Sequence, residues 1–131
     1  MARYATAFAP EATYRSVDLA SRTGGADAGG LVAVLYGEVV RALRSAAWAA
    51  QNARFDIKSE RVTRAIAVLF ALESGLDFER GGEVSKTLAR LYQGARGQLV
   101  DASLGNDPAP FLSVADTLEE IGAAWNTARG A

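Results

Sequence analysis

The candidate catalytic side chains of this 131-residue chain are carboxylates alone. Histidine and cysteine are both absent. Their absence removes imidazole acid–base catalysis, Ser–His and Cys–His nucleophiles, disulfide staples and zinc sites of the usual nitrogen and sulfur type. Glu38, Glu73, Glu83, Asp101, Asp116, Glu119 and Glu120 remain. A hydrolytic or metal-dependent site would need several of them to converge, and none carries the Glu-x-x-His pairing of di-iron bundles. Their dispersion fits a solvated charged face, so no catalytic role, metal or cofactor is expected.

The segment Leu76-Asp77-Phe78-Glu79-Arg80-Gly81-Gly82-Glu83-Val84 is the most distinctive in the chain. Adjacent glycines before a helix could present free amides to an anion. A phosphate loop would place Gly-Lys-Ser/Thr after a strand, whereas Lys86-Thr87 here follows Ser85 in a helical pattern. Asp77, Glu79 and Glu83 would also repel a phosphate. A sharp corner between helices is the expected role.

The elements that must position these residues read as helices. Proline occurs only at 10, 108 and 110, alanine occurs 27 times, and no strand–turn–strand alternation appears; all three features favour an all-α fold. The first helix is expected to start after Asp27 as N-cap and run to about Asn52, with Leu31, Val34, Leu35, Val39, Leu43 and Ala46 along one stripe. The second is expected from about Ser59 as N-cap to a left-handed Gly75. The third is expected from Glu83 to about Ser103, and the fourth from an Asp107 cap and Pro108 to about Thr127. Connections of about six or seven residues favour an antiparallel up-and-down four-helix bundle over 27–131. Residues 1–26 lack sustained periodicity and read as a mobile arm with isolated apolar anchors.

Charge and hydropathy narrow the partners. Fourteen basic against 15 acidic side chains give a net charge of −1, which argues against non-specific nucleic-acid binding. The longest nearly uncharged run, 65–72, is far shorter than a membrane span. Glu11 interrupts the mildly apolar start before a secretory core forms. With no cysteine to protect, a cytoplasmic location is expected. Half of the residues are apolar, and residues 65–72 carry no polar side chain at all. Leu69, Phe70, Leu72, Tyr36, Val40, Leu91 and Tyr92 exceed a single bundle seam. A well-filled core absorbs most of them, and any remainder suits an amphipathic partner in a groove. A structural or regulatory bundle that self-associates through the same faces, for instance as a homodimer, stays open at this point.

The block from Leu76 to Tyr92 resembles the "SLDxEKGGEIAxNLxxLYxY" block of the flagellar secretion chaperone FliS family. Leu31-Val32-Ala33-Val34-Leu35-Tyr36-Gly37 is similar to that family's "LVxMLYDG", and Leu99-Val100-Asp101-Ala102-Ser103 to its "LxxAN". Order and spacing agree for all three, over about residues 14–127. Gly37-Glu38 stands where the family has Asp-Gly, and the proline of its "TASPxxL" lead-in is missing from 25–31. The resemblance implies a non-enzymatic cytoplasmic bundle that binds the disordered C-terminal region of flagellin in apolar grooves. Such binding blocks premature polymerisation and presents the cargo to the flagellar export apparatus. It also implies that the arm can occupy the groove without cargo. Tyr14 and Val17 are then candidate arm anchors, and Tyr36, Ile66, Leu69, Leu72, Leu88, Leu91 and Tyr92 candidate groove residues.

Overall fold

The computed structural model describes residues 28–130. The arm expected over 1–26, its anchors Tyr14 and Val17, and the Asp27 cap lie outside the described residues. The described chain folds as four helices, α1 (Ala28–Gln51), α2 (Phe55–Ser74), α3 (Phe78–Ala102) and α4 (Ala109–Gly130). α1 packs against both α2 and α4, α2 also against α3, and α3 against α4 least extensively. Sequence neighbours run antiparallel across the short connections 52–54, 75–77 and 103–108. Long-range bonds agree with that course. Lys58, early in α2, reaches the carbonyls of Ser103 and Gly105 just beyond α3, and Trp125, late in α4, donates to the Gly29 carbonyl early in α1 at 3.3 Å. The expected antiparallel up-and-down bundle is the observed fold.

The core forms because each helix turns its stripe inward. Leu35, Val39 and Leu43 of α1 meet Val62, Leu69 and Leu72 of α2, Tyr92 and Leu99 of α3, and Phe111, Val114 and Leu118 of α4. Phe111, Leu43, Leu69, Leu99 and Leu118 are fully buried, each contributing about 1.5–3 kcal/mol of transfer free energy. Alanine lets the α1 backbone approach its neighbours closely, since Ala42, Ala46, Ala49 and Ala50 are all buried.

The helix ends differ from expectation in instructive places. α2 begins at Phe55, not Ser59, which lies exposed inside the helix. The cause is the end of α1, where Ala53 adopts a left-handed φ of 55°. Arg54 N–H then donates to the Ala49 carbonyl at 2.8 Å and Ala53 N–H to the Ala50 carbonyl at 3.4 Å. This is a Schellman closure with alanine where glycine is usual, and it reverses the chain at once. Arg54 occupies the N-cap of α2 and makes no side-chain capping bond there. Gly75 is not left-handed (φ −87°); α2 is closed instead by its amide on the Ala71 carbonyl and by Leu76 N–H on the Glu73 carbonyl. At α4 the expected cap is present, with the Asp107 carboxylate accepting from Ala109 N–H at 2.9 Å.

Candidate protein-docking surface

The double glycine builds the entry to α3. The Asp77 carboxylate accepts from the amides of Glu79 and Arg80, each at 3.0 Å, and so starts a turn at Phe78 ahead of the expected Glu83. The helix then kinks at Gly82, whose φ of 51° and ψ of −123° suit glycine alone. Gly81 is needed for a separate reason. A Cβ there would lie 1.9 Å from the Ser85 hydroxyl, which is buried and donates to the Asp77 carbonyl at 2.9 Å. Both glycines are thus explained by the corner itself.

Beyond that corner, α3 places Tyr92 in the core opposite Tyr36 of α1. Their hydroxyls are 2.5 Å apart and their rings meet edge to face at 6.4 Å between centroids. Burial pushes both phenols above their ordinary pKa; at Tyr36 the bond to Tyr92 adds to the rise, whereas at Tyr92 the bond to Tyr36 opposes it. Gly122 on α4 makes room for this pair, because a Cβ there would lie 3.2 Å from the Tyr36 ring. Further along, Arg96 of α3 forms an ion pair with Glu73 of α2 and lies over the Phe70 ring at 5.4 Å. Gln93 donates to the same carboxylate at 2.6 Å and, with Arg96, holds it below the usual carboxylate range despite partial burial.

The carboxylates do not converge. Glu38 pairs with Arg64, Glu73 with Arg96, Glu83 with Lys86, and Asp116 and Glu119 with Arg44. Among the described residues no group of three or more His, Cys, Asp or Glu side chains could hold a metal ion. Among the same residues no helix is long and apolar enough to cross a membrane.

What the surface does carry is hydrophobic. Phe70, Val84 and Val100 on α2 and α3 are 45%, 66% and 51% exposed, and Phe55 and Phe78 at the helix starts are about half exposed. Between α3 and α4 runs a groove of about 260 Å³. Leu91, Ala95, Val114 and Leu118 form its floor, with Arg90, Gln98, Ser113 and Thr117 at its rim. The candidate groove residues divide by burial. Tyr36, Leu69, Leu72 and Tyr92 are inside the isolated bundle, whereas Ile66, Leu88 and Leu91 pack against the core from its partly exposed edge. The candidates did not include Phe70, Val84 and Val100. Phe70 sits within an unbroken apolar run whose phase is unreadable. Val84 keeps the spacing of Leu88, Leu91 and Ala95 and so reads as part of the α3 stripe, yet it is exposed two residues after the Gly82 kink, while Val100 falls just off that stripe.

An all-helical bundle with dispersed carboxylates, a glycine corner leading into α3 and unburied apolar side chains on its flanks is a binding module in form. Comparison with known proteins decides which. The sequence profile described as flagellar protein FliS matches residues 10–131. The chain belongs to the FliS family. It is 29% identical over 113 residues to the flagellar secretion chaperone FliS of Vibrio cholerae, covering 86% of this chain and 83% of the relative. It is 30% identical over 113 residues to the flagellar secretion chaperone FliS of Salmonella typhimurium, covering 86% and 84%. Against the flagellar secretion chaperone FliSB of Pseudomonas aeruginosa the identity is 28%, covering 86% and 90%. FliS is a family of chaperones, not of enzymes.

Proposed function

We propose that this chain is a cytoplasmic flagellar export chaperone that covers the disordered C-terminal segment of flagellin and delivers it to the flagellar export apparatus. Family membership supports the chaperone role. The observation that carries the reading to a peptide-like cargo is the exposed apolar material on α2 and α3, Phe70, Val84 and Val100, beside the half-buried Ile66, Leu88 and Leu91. A free amphipathic segment self-associates through its apolar stripe; seating that stripe on a bundle removes the driving force. The ordering entropy of the segment opposes tight binding, which keeps the cargo releasable. In this reading Tyr14 and Val17 anchor the segment ahead of α1 against the same surface in the absence of cargo.

Titration calorimetry with full-length flagellin and with flagellin lacking its C-terminal segment tests the reading. Binding to the first and not the second is expected. Equal binding to both, or to neither, contradicts it.

A further inference from the structure

We infer that Lys58 is the fastening that holds the end of α3 and its connection to α4 against α2, limits how far the groove between α3 and α4 widens, and so governs how readily a cargo reaches the apolar floor of that groove. The inference rests on the cargo reading above for its functional half and on the free chain for its mechanical half.

Lys58 is only 8% exposed, which is rare for a lysine. Its ammonium donates to the Gly105 carbonyl at 2.8 Å, the Ser103 carbonyl at 3.1 Å and the Asn106 side-chain oxygen at 3.3 Å. These bonds use all three of its donors and place a positive charge at the negative end of α3. The other bonds of this connection are local, from Leu104 N–H to the Asp101 carbonyl, from Gly105 N–H to the Ala102 carbonyl and at the Asp107 cap. Leu104 to Asp107 are exposed, so Lys58 is what ties the connection to α2.

The wings on either side are each tied to their own partner. Arg96 and Gln93 tie α3 to α2 through Glu73, and Arg44 ties α1 to α4 through Asp116 and Glu119. α3 and α4 share the sparsest packing in the bundle. The groove floor residues Ala95, Val114 and Leu118 are nonetheless buried at 7%, 5% and 1% exposure. Leu91 at the edge of the groove is already partly exposed, so a ligand that goes on to Ala95, Val114 and Leu118 must meet a widened groove, and its apparent affinity scales with the widened fraction. Lys58, which binds the α3 end and the following loop to α2, sets that fraction.

Amide hydrogen exchange on the full chain tests the mechanical half. Lys58→Met keeps the aliphatic stem and removes the donors; exchange is expected to rise about tenfold or more across 103–118, with the α1–α2 interface unchanged. Lys58→Gln retains an amide donor and is expected to show a smaller local rise, and it serves if Lys58→Met does not accumulate folded. Association of a flagellin C-terminal peptide with Lys58→Met is expected to speed up by a factor similar to the local rise. Unchanged exchange, or an equal rise in all helices, overturns the fastening. Local loosening with slower or unaltered association overturns its link to cargo. Local loosening in Lys58→Met, together with a wild-type chain that never binds the peptide, refutes the cargo reading and leaves the fastening standing.

Discussion

The α1–α2 pair and the α3–α4 pair are joined alike, by short connections between long antiparallel helices, yet they pack differently. α1 meets α2 through buried Ala42, Ala46, Ala49, Val62, Ala65 and Leu69, side chains small or compact enough for close backbone approach. α3 meets α4 across Gly94, Gln98, Ser113 and Thr117, and an open groove remains. Alanine opposite alanine closes an interface; glycine and short hydroxyl side chains above the floor of Leu91, Ala95, Val114 and Leu118 leave the space over it unfilled. The lesson is that one bundle can hold a rigid spine and a yielding seam, with the difference written in residue size rather than in helix count.

Substitutions can break or sharpen this contrast. Phe111→Ala removes a fully buried ring and is expected to cost about 3–5 kcal/mol in chemical denaturation, whereas Leu91→Ala at the open groove is expected to cost about 1 kcal/mol because part of the space is already empty. Equal losses would mean the seam is packed as tightly as the spine. Tyr36→Phe leaves the buried Tyr92 hydroxyl without its 2.5 Å partner and is expected to cost about 1–2 kcal/mol.

The same tyrosine pair gives a pH signature. Both phenols are raised in the folded chain, so the unfolded chain loses its protons first as pH rises. Their contribution is full below about pH 10 and declines above it. Thermal melts between neutral and strongly alkaline pH should show that decline, with a shallower slope for Tyr36→Phe; an unchanged slope would place the titration elsewhere. Ala53→Gly relieves the left-handed alanine that closes the spine and is expected to stabilise by about 1 kcal/mol. Phe70→Ser is expected to change stability least, by about 0.5 kcal/mol or less, while weakening flagellin binding in calorimetry. A large stability loss there would show that Phe70 serves the fold.

Much of the fold was legible in the sequence. The α1 stripe, the Asp107 cap and the glycine corner follow from spacing and capping chemistry, and the family block points to the chaperone bundle. The start of α2 was not legible, because the turn that sets it is made by Ala53, a residue with no turn signature. The start of α3 was missed because Asp77 caps a single turn that Gly82 then breaks. Groove and core were inseparable along 65–72, where every side chain is apolar and only the positions of neighbouring helices distinguish buried Leu69 from exposed Phe70. Tyr36 and Tyr92 read as groove candidates from the apolar surplus and the family resemblance; in the isolated bundle each satisfies the other's hydroxyl inside the core.

Methyl chemical-shift mapping of the isotope-labelled chain, with and without a flagellin C-terminal peptide, tests most directly whether cargo covers the flanks of α2 and α3. Shifts are expected at Ile66, Val84, Leu88, Leu91 and Val100, with Val39 and Leu43 of the spine unmoved. Shifts spread evenly over spine and flank, or absent from the flank altogether, would contradict the account.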